Sequence, residues 1–335
     1  MAIQRRSLLA ATAGAPFLAL GAGAARAAEF EMKWGCFAPP DHPLSVNAVA
    51  AAKRISEESK GRVNIAYFPS SQLGGDTDMM AQMRAGALDF YTTSASFMTI
   101  LNAGVGPSAL GFAFKDMATI WNAVDGDLGR VARKAAAGAN IHIFEKYWDL
   151  GFRTVSNGAK PVTSLADMQG LKIRVPVLPM FFGMFKALGA APVSMNFSEL
   201  YTSLQTKLVD GQENPLVNVY TAKLYEVQKF ITNTNHCWEG MLIASNRSRF
   251  TALPADIQDI ISRNINAAAL KEREDMRKLN LDIKSKLEAA GVKFNDIDIG
   301  PFREKLRQAG YYTEWRGKMG EEAWLALEKY AGKLA

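Results

Sequence analysis

From Pro254 to Ala290 the chain has no Gly and no further Pro, and Gly291 follows. Proline is well placed at the start of a helix and glycine just past its end. Those 37 residues as one helix would run about 55 Å at 1.5 Å per residue. That exceeds the width of a single domain of this size. Two arrangements fit: two shorter helices kinked near Asn280, or one helix that crosses two domains as a spine. The strong helix formers between Ala267 and Lys278 favour the spine.

What precedes this segment reads as an α/β rhythm played twice. Glu31–Phe37, Val63–Phe68 and Leu88–Thr92 have strand character. Helical spacing covers Val46–Glu58, and a helix capped by Asp76 or Thr77 runs to Arg84. Pro39, Pro40 and Pro43 break the chain after the first strand. The order β-α-β-α-β implies a largely parallel sheet. The rhythm restarts with strands at Asn140–Tyr147 and Gly151–Ser156, joined through Trp148-Asp149. Ser164-Leu-Ala-Asp167 has capping-box spacing. A short buried strand follows at Lys172–Val175, then helices at Pro179–Leu188 and Ser198–Leu208, and a late strand at Cys237–Ser245. Amphipathic helices at Pro301–Ala309 and Thr313–Lys333 close the chain.

The first 27 residues form a separate device. Arg5-Arg6, an apolar stretch from Leu8 to Leu20, and Ala25-Arg26-Ala27 match an export signal cleaved before Ala28. The same Arg pair, followed by Ser7-Leu8-Leu9, fits the twin-arginine route as well as an ordinary secretory one. Removing Arg5, Arg6 and Arg26 lowers the net charge from +6 to +3. No basic run remains, which argues against nucleic acid. The 335 residues less these 27 suit two domains. No later stretch is apolar enough to span a bilayer. Cys36 and Cys237 leave pairing and buried thiols equally open. His42, His142 and His236 are too scattered for a metal site.

Signals of catalysis are weak. The sequence has no G-x-S-x-G, no phosphate loop and no G-x-G-x-x-G; Gly104-Val-Gly106 lacks the third glycine. Two segments read instead as a receptor for a small acid. In Gly170-Leu-Lys-Ile-Arg-Val-Pro176, Arg174 emerges from apolar neighbours at a strand end, where open α/β sheets bind ligands. Its planar fork matches a carboxylate. A structural ion pair with an internal acid is the competing reading. In Asp210-Gly-Gln-Glu-Asn-Pro215, Glu213 and Asn214 are expected in a turn stiffened by Pro215.

Ordered matches span Trp34 to about Leu253. They include Tyr67-Phe-Pro-Ser-Ser-Gln-Leu-Gly74, Gly86-Ala-Leu-Asp89, Gly151-Phe-Arg153, Gly170–Pro176, Phe197-Ser-Glu-Leu-Tyr201 and Asp210–Pro215, with Tyr225-Glu-Val-Gln228 and Asn235-His236 continuing. On these the chain resembles the solute-binding subunits of tripartite ATP-independent periplasmic (TRAP) transporters, the group named for C4-dicarboxylates. The resemblance implies a two-lobed α/β binding protein that closes like a Venus flytrap, with mixed sheets and a long helix spanning both lobes. Residues 28–150 with about 240–279 would form one lobe, and 151–239 with about 280–335 the other. It implies Arg174 as the carboxylate clamp, assisted by Arg153 and Asn214, with Phe197 lining the pocket. Phe37, Ser94 and Val177 stand where the sialic-acid-binding branch places polar groups, which points away from sialic acid. Trp148, Asp76 and Glu213 complete the candidate ligand-binding set, and Phe181 and Phe182 are either further pocket residues or helix core. C4-dicarboxylates, 2-oxo or 2-hydroxy acids, sugar acids and aromatic acids all stay open. The expected protein is a periplasmic monomer without cofactor or catalysis, partnered by the small and large TRAP membrane subunits. A receptor for an ATP-driven importer or a sensor is the alternative, followed by an exported enzyme.

Overall fold

The computed structural model describes residues 28–335; the expected export signal at 1–27 lies outside the described residues. Ten strands form one mixed sheet. They are β1 (Phe30–Gly35), β2 (Val63–Phe68), β3 (Phe90–Ser94), β4 (Ile141–Ile143), β5 (Trp148–Asn157), β6 (Lys172–Val175), β7 (Ala191–Ser194), β8 (Gly211–Pro215), β9 (Phe230–Asn246) and β10 (Lys293–Asp296). The order is β2-β1-β3-β9-β5-β8-β6-β7, with β4 and β10 also paired to β9. The N-terminal set is parallel except for β3 against β9, and β6 runs parallel to both β7 and β8.

Two long strands join the halves. The start of β9 pairs with β10 and with the end of β5, while its last residues pair with β3 and β4. The β5–β9 ladder is irregular between Asp149 and Gly151 and again between Arg153 and Val155. Gly151 has φ 95° and Asn235 φ 42°, values that glycine and asparagine tolerate best. Bulges of this kind re-aim side chains, and these sit where the two halves of the sheet meet.

The spine is a single helix, Ala255–Ala289, with no break near Asn280. Ile257, Ile261, Ile265, Ala268, Ala269, Met276, Ile283 and Leu287 are buried along one face. Each large side chain among them contributes about 1.5–3 kcal/mol on leaving water. The helix packs first on Pro43–Glu58, then across β5, then on Leu216–Thr221. It therefore spans both halves. Apolar side chains alternate between two cores on opposite faces of the sheet. Met241 and Ile243 join the core under the spine, and Leu242 and Ala244 join the other.

Local differences from expectation have local causes. Pro43 starts a helix rather than breaking one, because His42 caps it through Nδ1, which accepts from the Leu44 N–H at 3.1 Å. Trp148 and Asp149 lie within β5 instead of joining two strands, since β9 pairs with both. Gly211–Pro215 is an interior strand and not a turn: β5 and β6 flank it on either side. Pro215 ends the strand beyond the last β6 pair, Arg174 with Gln212. Helices Tyr311–Met319 and Glu321–Ala331 pack on 103–105, 117–124 and 127–138, tying the C-terminal tail to the N-terminal half. Cys36 and Cys237 are both buried and free. Among the described residues no helix is long and apolar enough to cross a membrane.

One buried acid pair sits beneath the first bulge. Glu272 of the spine accepts from the Asp149 N–H at 2.8 Å, and its Oε1 has no partner. Burial, reinforced by Asp149, pushes the Glu272 carboxyl well up; burial lifts Asp149 to about 6, against donors from Trp238 and Gly151. A raised native pKa stabilises the fold fully below the unfolded value, and that contribution is lost as pH rises. Glu272→Gln keeps the shape and cannot ionise. Its melting temperature should match the parent at about pH 4 and exceed it by several degrees at about pH 8. A gap that does not widen with pH would disprove the assignment.

Candidate functional site

The sequence isolates Arg174 between Ile173 and Val175, and the fold buries it. β6 lies inside the sheet between β7 and β8, leaving Arg174 only 1% exposed. Its Nε and Nη2 donate to the Met195 carbonyl at 3.1 and 2.8 Å. That carbonyl is its sole hydrogen-bond acceptor among the described residues, and it forms no ion pair there. The guanidinium also stands 5.9 Å from the Phe197 ring centroid. Burial pulls its pKa down to about 10, with Glu213 and Asp76 opposing the shift and Arg153 adding to it. An isolated buried cation costs free energy unless something pairs with it.

Arg153 shows the opposite arrangement. It sits on β5 at the second bulge and is equally buried. Its Nε and Nη2 grip the Glu213 carboxylate, the latter at 2.8 Å to Oε1, and Nη2 also donates to the Glu213 carbonyl at 2.9 Å. Nη1 donates to Glu239 Oε2 at 3.0 Å. Burial alone would lower the Arg153 pKa, but the two carboxylates raise it above its ordinary value. Burial pushes Glu213 up, yet Arg153 and His236 leave it below its ordinary value. Glu239 is lifted to about 6 by burial, with Arg153 and Ser96 holding it back. His236 Nε2 stands 3.1 Å from Glu213 and its Nδ1 2.8 Å from Thr234 Oγ1. Burial lowers its pKa, so the ring is neutral near pH 7.

Both arginines line one cavity of about 50 Å³ at the junction of the two halves. Five more of the expected residues line it too: Asn214, Phe197, Phe37, Ser94 and Asp76. Glu213 lies behind the wall, holding Arg153. Trp148 is in the core beside Trp34, with ring centroids 6.4 Å apart; Leu150, two residues on, lines the cavity instead. Val177 is half-buried off the wall, where Pro176 takes its place. Phe181 is core beneath Arg153, 5.0 Å from its guanidinium, and Phe182 faces solvent. The cleft is shut. Phe37 meets Phe197 edge-on at 5.2 Å, and Thr77 contacts Asn196. A Cβ on Gly75 would stand 2.8 Å from Asn196 Cγ.

Asn214 is oriented by a directional chain of buried amides. Asn218 Nδ2 donates to Asn214 Oδ1 at 3.0 Å, and Asn214 Nδ2 donates to Gln212 Oε1. Gln212 Nε2 donates to Ser156 Oγ at 2.8 Å, which donates to Gln228 Oε1 at 2.8 Å. Every amide orientation follows from its neighbour's. The sequence reading missed Glu239, Asn218, Thr93 and Tyr91 among the lining residues. Glu239 carried a usable signal, a lone acid within the apolar run Cys237–Ser245. Tyr91 Oη donates to Asp76 Oδ1 at 3.0 Å, and burial raises the Asp76 carboxyl against Tyr91 and Arg174. Among the described residues no group of three or more His, Cys, Asp or Glu side chains is placed to hold a metal ion.

Comparison with known proteins matches residues 34–314 to the DctP model of bacterial extracellular solute-binding proteins, family 7. The 2,3-diketo-L-gulonate-binding periplasmic protein YiaO of Escherichia coli (strain K12) is 31% identical over 253 residues, covering 75% of this chain and 77% of the relative. A TRAP periplasmic solute binding protein from Roseobacter denitrificans with bound β-D-glucuronate superposes with a TM-score of 0.86 at 27% identity, covering 90% of this chain and 99% of that one. Another from Sulfurospirillum deleyianum, with bound succinate, gives 0.82 at 28% identity over 91% and 99%.

Proposed function

Because the chain belongs to the bacterial extracellular solute-binding proteins of family 7, we propose that it is a periplasmic receptor that captures a small organic acid on Arg174 and hands it to a Na+-coupled TRAP membrane transporter. The observation that carries this reading is the Arg174 guanidinium, buried against a cavity with a single carbonyl as acceptor. The 2,3-diketo-L-gulonate, β-D-glucuronate and succinate named for those proteins differ in their tails and share a carboxylate. A planar carboxylate accepts two parallel N–H donors from a guanidinium. Asn214 adds a fixed amide dipole beside it, and the aromatic rings of Phe37 and Phe197 cover the ligand's carbon frame.

Capture works by differential binding. An open cleft leaves Arg174 hydrated, and a ligand touching both lobes favours closure only by its extra affinity for the closed state. The irregular stretch of β5 and β9 around Gly151 and Asn235 is the hinge. Closure dries the cavity and strengthens the charge pair, and the closed surface is what the small and large membrane subunits read. Export proceeds through the twin-arginine or the general route.

Uptake by proteoliposomes carrying the cognate membrane subunits tests the reading. Radiolabelled acid, identified by mass spectrometry of ligand released from the purified protein, should accumulate only with this protein outside and an inward Na+ gradient. Accumulation that requires ATP and ignores Na+ would assign the protein to an ATP-driven importer instead.

A further inference from the structure

We infer that Gln228, Ser156 and Gln212 are positioning residues for capture: they hold Asn214 with an amide N–H, and not its carbonyl, turned to the ligand's carboxylate. This rests on the receptor reading above and deepens it. None of the three lines the cavity. Their exposures are 2%, 0% and 0%, so protein partners alone orient them. A side-chain amide fills nearly the same space either way round, and the two ways present opposite chemistry. A carboxylate only accepts. An Asn214 turned end for end would set Oδ1 against that acceptor and repel it.

Both ends of the chain fix its direction. At the cavity end, Asn214 Oδ1 receives Asn218 Nδ2 at 3.0 Å and Arg153 Nη2 at 3.4 Å. A guanidinium has donors only, so oxygen belongs on that side. At the far end, Gln228 Nε2 donates to the backbone carbonyls of Val227 at 2.9 Å and Asp210 at 3.4 Å. Those carbonyls only accept, so Gln228 turns Oε1 the other way, to Ser156. The Ser156 hydroxyl gives its single proton to that Oε1 at 2.8 Å and is left to accept from Gln212 Nε2, also at 2.8 Å. Gln212 then has Oε1 for Asn214, and Asn214 gives it one hydrogen of Nδ2. The second hydrogen has no acceptor among the described residues, and Asn214 lines the cavity. It is the hydrogen left for the carboxylate.

Reversing any one amide alone sets oxygen against oxygen or N–H against N–H, out of reach of water. A buried polar group left unmatched costs more than its hydrogen bond was worth, so the links hold one another in a single direction. Strand pairing fixes their spacing. Ser156 and Gln212 are directly opposed in the β5–β8 ladder, and Gln212 and Asn214, two apart on β8, point to the same face. The chain thus carries the polarity of two backbone carbonyls behind the sheet to an amide in the cavity wall.

Calorimetry on ligand-stripped protein tests this with succinate, D-glucuronate and D-gluconate, the tightest binder of the three serving as probe. Gln228→Met and Ser156→Ala should each weaken the probe about tenfold, the worth of one hydrogen bond, although neither side chain reaches the cavity. Either variant carries the test if the other does not fold. In an Asn214→Leu background, which keeps the volume and lacks the amide, the same changes should cost nothing further. A double-mutant cycle reads that non-additivity. A variant that binds poorly because its fold is loosened would bring the same loss into both backgrounds. Such equal losses overturn the inference, as does unchanged affinity in both single variants, and each result leaves the receptor reading standing. Failure of all three acids to bind the parent overturns the receptor reading and this inference together.

Discussion

Arg174→Ala is expected to abolish organic-acid binding while leaving the ligand-free protein as stable as its parent or more so. Truncating one partner of a buried charge pair costs about 2–5 kcal/mol, or roughly 30-fold to several thousandfold in Kd. The stability side follows from the partners: among the described residues the Met195 carbonyl is the only acceptor Arg174 would leave behind, so its removal strips no carboxylate of a counter-ion. Arg174→Lys should recover only part of the affinity, since an ammonium cannot present the planar two-donor fork. Titration calorimetry and thermal melts on the same samples separate the effects. Unchanged affinity, or a large fall in melting temperature without ligand, would show Arg174 to be a structural residue.

Arg153→Met should do the reverse and mainly destabilise the fold. It strips the counter-ion from Glu213 and Glu239, both at most 1% exposed. Breaking a buried pair from one side costs about 3–5 kcal/mol, which for a chain of this size lowers the melting temperature by roughly 5–8 °C. The loss should grow with pH. In the parent, Arg153 holds Glu213 below its ordinary pKa, and that contribution is present above the unfolded value and lost in acid. In the variant both carboxyls would be raised by burial with nothing to oppose it, so its stability falls as pH rises. Adding Glu213→Gln and Glu239→Gln should restore most of the melting temperature. A variant that melts like its parent at about pH 8 would mean water already screens the cluster. Arg153→Met would then belong with the binding residues.

The contrast shows how far local reading reaches. Gly151-Phe-Arg153 and Lys172-Ile-Arg174 look alike in sequence, each an arginine beside apolar residues on a strand. The carboxylates that claim Arg153 come from 60 and 86 positions away. The acceptor of Arg174 is a backbone carbonyl, which no side-chain pattern announces. Glu213 and Asn214 read as a turn in the sequence, and both lie in strand β8. Gly, Asn and Pro mark turns in isolation, but strand pairing with β5 and β6 overrides that preference.

By itself the sequence determined everything that acts within a few residues. That covers the uninterrupted spine with its buried face, the repeated strand–helix rhythm, the strand ending at Pro176 and the lone arginine within it. Periodicity, capping and the absence of Gly or Pro are local forces, and they leave a local record. Only the tertiary structure decided which arginine is spent and which is free. Long-range strand pairing brings Glu213 and Glu239 to Arg153, with His236 behind Glu213, and leaves Arg174 facing the cavity with Thr93 and Asn218. Charge pairing depends on distance in space, and residues remote in sequence meet only after the sheet has formed.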